Sequence, residues 1–206
     1  MKKKIIAVIP ARKGSKRLPD KNTKMLVKKP MISYSIDAAL KSKYIEKILI
    51  STDDEKVKDI VKSYKEKSKG KIVIIDRPKH LAEDETRTEP VIVHALEKIK
   101  DEYNAVVLLQ PTSPLRTADD IDNCLDIFLK EKCSSVLTVK EIEPFHIFVP
   151  NGAVFVTSKN MITKQNKLYD ENKKLMLMPQ DRSVDIDTET DFLLAEKLLN
   201  RKHENK

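Results

Sequence analysis

The chain has 206 residues, 40% of them hydrophobic and 35% charged, with a formal net charge of +8. The apolar share is enough for the core of one domain and argues against disorder. Lysine outnumbers arginine 33 to 7, most lysines stand beside acids, and no aromatic RNA-binding strand, zinc spacing or Arg-rich helix accompanies them, so the positive balance is not read as a nucleic-acid footprint.

The start, "MKKKIIAVIPARKGSK", resembles a signal peptide for only a few residues, because its apolar run stops at Arg12. "KIIAVI" (4–9) predicts a short strand buried on both faces. It empties into "IPARKGSKRLPDKN" (9–22), where Arg12, Lys13, Lys16, Arg17 and Lys21 stand against one acid, Asp20, around a single glycine, Gly14. "PMISYSIDAALKSK" predicts a helix with Pro30 in its first turn. "KILIS" (47–51) is the next strand, and Thr52 with Glu55 has the capping-box spacing for a helix to about Tyr64. After the strand "KIVII" (71–75), Thr88 is placed as the cap of a helix with Pro90 in its first turn, running to about Lys100. "AVVLL" (105–109), the most apolar run, suits a central strand and discharges into "QPTSPLR"; Thr117 and Asp120 then open a helix to about Lys130. "SSVLTV", "AVFVTS", "KLMLM" and "SVDID" (183–187) are further strand candidates before a last amphipathic helix over "TDFLLAEKLL".

Alternating strands and helices predict an α/β fold with a mostly parallel sheet flanked by helices. One domain is expected over residues 1–200, with a frayed tail at 201–206. No run approaches the length of a membrane span. Cys124 and Cys133 form no CxxC pair and fit reduced thiols in a cytoplasmic protein.

Ligands of such sheets sit beyond the carboxyl ends of the strands, which places "ARKGSKRLPDKN", "STDD", "DRP" and "QPTSPLR" on one rim. The opening loop is neither a Walker P-loop nor GxGxxG. Gly14 and Ser15 among cations can still offer backbone N–H and charged donors to phosphate oxygens. Exposed ion pairs contribute about 0–1 kcal/mol, so crowding five like charges gains no stability and points to a polyphosphate ligand over a merely soluble turn. On a strand, Asp185 and Asp187 of "VDID" would face one side and suit a hard cation such as Mg2+; the alternative is that Asp187 or Thr188 caps the last helix. Asp53, Asp54, Asp119, Asp120 and Asp122 are accounted for by helix starts. Gln110, Thr112, Ser113 and Arg116 leave an apolar strand on a Pro-stiffened turn suited to base or sugar recognition. His80, His94, His146 and His203 are scattered, and no nucleophilic triad can be assembled.

In order along the chain, "IPARKGSKRLPDKN", "STDDE", "RPKHLAED", "LLQPTSPLRTADDID", "NGAVFV" and "SVDIDTETDFLLAE" resemble the acylneuraminate cytidylyltransferases, from residue 5 to about 199. The resemblance implies a Rossmann-like nucleotidyltransferase fold and transfer of CMP from CTP to the anomeric hydroxyl of a sialic-acid-like 2-keto sugar acid, with Mg2+ and release of pyrophosphate. It implies nucleotide contacts from Ala11, Arg12, Gly14, Ser15, Lys21, Asn22, Arg77, Thr88, Gln110, Pro111 and Thr112, with Arg12, Lys16 and Lys21 acting in catalysis. Gln110, Ser113 and Arg116 would meet the sugar, and Asp185 and Asp187 the metal. The family's homodimer is allowed too, but only eleven residues, "KEIEPFHIFVP", stand where it usually inserts a longer segment carrying sugar contacts and the dimer interface. Alternatives are a cytidylyltransferase for a different small acid, or a CTP-binding module without acceptor turnover.

Overall fold

The computed structural model describes residues 4–204. Its centre is a seven-stranded sheet of β1 (Ile5–Pro10), β4 (Ile45–Thr52), β5 (Ile72–Asp76), β6 (Ala105–Leu108), β7 (Ser135–Ile142), β8 (Ile147–Ser158) and β9 (Lys173–Leu177), in the order β5-β4-β1-β6-β8-β7-β9. Only β8 runs against its neighbours; the β4–β5, β1–β4, β1–β6 and β7–β9 pairs are all parallel. Between β1 and β4 lie a two-stranded hairpin, β2 (Met25–Leu26) and β3 (Lys29–Pro30), and α1 (Met31–Lys41). The remaining helices are α2 (Glu55–Lys62), α3 (Lys65–Ser68), α4 (Thr88–Glu97), α5 (Ala118–Lys130), α6 (Lys159–Gln165) and α7 (Glu189–Glu204).

The continuous apolar runs of β1, β4 and β6 have the reason expected of them: helices cover both faces. Ile5, Ala7 and Ile9 pack with α1, α2 and α5, while Ile6 and Val8 pack with α4 and α6. Full burial of such a side chain contributes about 1.5–3 kcal/mol, so alternate residues of one strand stabilise two layers at once. A third cluster joins Leu18, Leu26, Met31 and Leu115 to Ile186 and to Phe192, Ala195 and Leu199 of α7. It seats the segment before α7 against the loop after β1.

Several local expectations are corrected. Residues 183–187 form no strand; they are an irregular segment whose Ile186 N–H donates to Thr112 O at 2.8 Å instead of to a sheet neighbour. Asp54 rather than Thr52 caps α2, accepting from Lys56 N at 2.9 Å, while Thr52 Oγ1 accepts from Asp54 N at 3.0 Å and donates to Ala11 O at 2.6 Å. Thr88 lies inside α4, whose N-cap Arg87 makes no side-chain capping bond. The Thr117–Asp120 capping box is present as expected. The β2–β3 hairpin and α6 escaped the reading because each is too short to show a period. α7 continues through most of the expected tail to Glu204, and residues 205–206, like the first three residues of the leader-like start, lie outside the described residues. Both cysteines are free thiols. No described helix is long and apolar enough to cross a membrane.

Candidate active site

Strands β5, β4, β1 and β6 are adjacent and parallel, so the loops leaving their carboxyl ends converge. The loop after β1 is anchored at both ends. Ala11 N donates to Ser51 O at 2.9 Å, Asn22 Nδ2 to Arg12 O at 3.0 Å, and Lys13 N to Asp53 Oδ1 at 2.8 Å. Gly14 has φ +76°, a conformation that L side chains rarely adopt, although nothing would contact an added Cβ.

A cleft of about 190 Å³ is lined by Arg12, Ser15, Lys21, Asn22, Arg77, Thr88, Gln110, Pro111 and Thr112, with Pro10, Thr86 and Val91 completing it. An adjoining hollow of about 390 Å³ shares Arg12, Ser15 and Lys21 and adds Lys16, Arg17, Asp84 and Asp187. The helix α4 begins at this cleft without a side-chain cap, so its first-turn N–H groups face the region where an anion is favoured.

The crowded cations are held by acids from far along the chain. Asp84 accepts from Arg12 at 2.6 Å and from Lys16 at 2.5 Å. Both cations hold its carboxyl below the ordinary value. Asp187 accepts from Arg17 at 2.9 Å and from Lys21 at 3.1 Å, and Lys21 Nζ also donates to Ile186 O at 2.9 Å. The Lys21 side chain is only 13% exposed. Its ammonium is thus fixed between the two banks of the cleft. Arg77 is buried, with Nη2 donating to Ser51 O at 2.7 Å and Nε to Ser51 Oγ at 3.2 Å. Burial pushes its guanidinium down to about 10 against the pull of Asp53, which still leaves it charged at neutral pH.

Asp185 lies on the rim, bonded to Thr112. Partial burial pushes its carboxyl up and Asp187 adds to this, while Thr112 and Lys21 oppose it. The residue keeps solvent contact, which screens the effect. The two acids therefore come together through a loop and not through strand alternation. Two carboxylates two residues apart form an oxygen-only set of the kind that suits a hard divalent cation such as magnesium. Among the described residues no cluster of three or more His, Cys, Asp or Glu side chains forms a fuller cage.

Three expected contacts are corrected. Ala11 is wholly buried, and both its backbone groups are used by Ser51 and Thr52. Ser113 is wholly buried beneath the turn. Arg116 is 3% exposed and clamps that turn from below, donating to Ser113 O at 3.0 Å, Gln110 O at 3.2 Å and Ser35 Oγ at 2.8 Å. Neither Ser113 nor Arg116 faces a sugar. Gln110 does line the cleft. Asp84 and Thr86 were missed, since "RPKHLAEDETR" carried no periodic or spacing signal that ties it to the first loop; Asp53, assigned to a helix start, also holds that loop through Lys13 N.

The sequence model described as Cytidylyltransferase matches residues 6–203. The chain is 33% identical to an N-acylneuraminate cytidylyltransferase of Escherichia coli, over 100% of this chain and 54% of that protein. It is also 33% identical to the CMP-N,N'-diacetyllegionaminic acid synthase of Legionella pneumophila, over 98% of each. The chain thus spans about half the length of the first relative and nearly all of the second. Among solved structures, a CMP:2-keto-3-deoxy-manno-octonic acid synthetase complexed with CTP superposes with a TM-score of 0.73 at 17% identity, covering 97% of this chain and 99% of that one, which is a likeness of fold.

Proposed function

This chain belongs to the cytidylyltransferase family, and on that premise we propose that it transfers CMP from CTP to the anomeric hydroxyl of a sialic-acid-like 2-keto sugar acid, releasing pyrophosphate, with Mg2+. The observation that carries the reading is the cleft itself. Side chains from the loops after β1, β5 and β6 and from the start of α4 line one space, with a fixed ammonium on its floor.

In this reading the phosphate oxygens of CTP replace Asp84 on Arg12 and Lys16, while Lys21 faces the α-phosphate and the departing pyrophosphate. Ser15 and Asn22 hold phosphate and ribose; Arg77, Thr88, Pro111 and Thr112 enclose the nucleoside. Gln110 stands between nucleotide and acceptor. Asp185 and Asp187 would hold magnesium, which when bound neutralises phosphate charge. The protein's part is positioning and electrostatic stabilisation, with no covalent enzyme intermediate.

A pyrophosphate-release screen of four nucleoside triphosphates with Mg2+ against a panel of 2-keto sugar acids tests this. Turnover with CTP and one nine-carbon acid is expected; tight CTP binding without turnover on any acid would overturn it. A smaller acid acceptor is the second reading, favoured by the short connection between β7 and β8 and by the burial of Ser113 and Arg116.

A further inference from the structure

The pairing of β7 with β8 breaks at one place. Leu137 stands opposite Phe155 and Val139 opposite Pro150, so residues 151–154 all fall opposite Thr138. An antiparallel ladder sets one residue against one, and a bulge leaves backbone groups that need other partners. Side chains supply them. Asn151 Oδ1 accepts from Ala153 N at 3.1 Å, Thr138 Oγ1 accepts from Val154 N at 2.9 Å, and the Thr138 hydroxyl donates to Asn151 Oδ1 at 2.6 Å.

The bulge lies just past the carboxyl end of β6, where β8 leaves its partner at Leu108–Phe155. Its Gly152 has φ +75°, and a Cβ there would stand 2.6 Å from Gln110 Oε1 and 3.5 Å from Asp185 Oδ2. The apex of the bulge therefore sits between the turn after β6 and the acid-bearing segment. From its other side, Asn151 Nδ2 donates to Ser183 Oγ at 3.0 Å, two residues before Asp185, and Ser183 Oγ donates to Pro179 O at 2.9 Å. Thr138, Asn151 and Ser183 are 0%, 3% and 2% exposed. A buried amide whose acceptor is spent inside the bulge and whose donor leaves it for another segment links the two rigidly.

We propose that Asn151 is a positioning residue of the transfer site: through Ser183 it fixes the segment carrying Asp185 and Asp187 against Gln110, and Gly152 keeps the gap between them open. This rests on the function proposed above, since it gives those two acids their purpose.

The test uses the full chain, with Mn2+ as the metal probe. Asn151→Ala and Ser183→Ala are each expected to weaken Mn2+ binding in the presence of CTP by about 10-fold. The double variant should be no worse than either single one, metal-free CTP affinity should stay within about twofold, and backbone amides of residues 183–187 should exchange faster. A folded variant with a lowered melting temperature but unchanged Mn2+ affinity would make the bulge mere structural glue and overturn the proposal; Ser183→Ala serves if Asn151→Ala does not fold. Absence of Mn2+ binding by the parent protein would instead reject the metal reading, and exchange at residues 183–187 would then decide the tether alone: unchanged rates overturn it.

Discussion

The two sides of the cleft are built on different principles. The side formed by the loops after β1, β4 and β5 is a charge network on a doubly covered sheet, in which, among the described residues, Arg12 and Lys16 pair with Asp84, and Arg17 and Lys21 reach across to Asp187 before α7. The other side is the turn after β6 with the β8 bulge beside it; further along, β7 and β8 close in a short hairpin that leaves Ile142, Phe145, Ile147 and Phe148 between 41% and 73% exposed. Residues on the first side have partners that constrain where an anion can sit. On the second, apolar surface stands open and the polar turn after β6 is held from below. Under the function proposed above, the charge network serves the nucleotide, and the hairpin contributes no lining residue to the cleft.

The largest expected effect lies in the network. Lys21→Ala should lower kcat at saturating CTP by roughly 100-fold, the ~3 kcal/mol typical of one lost preorganised donor, with the fold intact by circular dichroism; near-normal turnover would remove Lys21 from the chemistry. Next, Arg116→Met should lower stability in urea denaturation, since Gln110 O, Ser113 O and Ser35 Oγ each lose a charged donor, and a hydrogen bond to a charged group contributes about 1.5–3 kcal/mol. If turnover falls while urea stability is unchanged, Arg116 touches substrate after all. Asp120 sharpens the boundary between the sides, because it pairs with Arg182 of the acid-bearing segment at 2.7 Å. Burial pushes its carboxyl up, but hydrogen bonds from Arg182 and Thr117 outweigh this and leave it below the ordinary 3.8. Its contribution is therefore present above about that value and lost as pH falls through the depressed one. Asp120→Asn should destabilise the protein at pH 7, and thermal melts should show the gap closing as the pH drops below 3.8.

Two smaller effects probe the sides separately. Asp84→Asn removes a carboxylate competing for Arg12 and Lys16, so CTP should bind a few-fold tighter at low ionic strength by calorimetry, with the gain fading in salt; weaker binding would mean that Asp84 helps to hold the nucleotide. Phe148→Ser should change CTP affinity by less than about twofold, with any kinetic effect confined to the acceptor KM. A large loss of CTP binding would break the comparison.

Much of the fold was legible because it is local. β1, β4, β5 and β6 each announce themselves as short apolar runs, and α5 by its capping box. Of the cleft's lining, several cations, the polar turn and Asp187 stand out in the sequence. Residues 183–187 read as a strand because alternation is compatible with an irregular segment too, and only the partner, Thr112 rather than a sheet neighbour, tells the two apart. Arg116 read as a sugar contact because a polar residue after a strand looks alike whether it points out or under the turn.

By itself, then, the sequence determined the order of strands and helices, the rim on which ligands gather and the positive character of the first loop, since each follows from periodicity or from neighbours a few residues apart. Only the tertiary structure decided what the five cations rest against. Lys21 meets Asp187 from 166 residues away and Arg12 meets Asp84 from 72. Such pairings depend on how loops close over a finished sheet, and no local pattern encodes that.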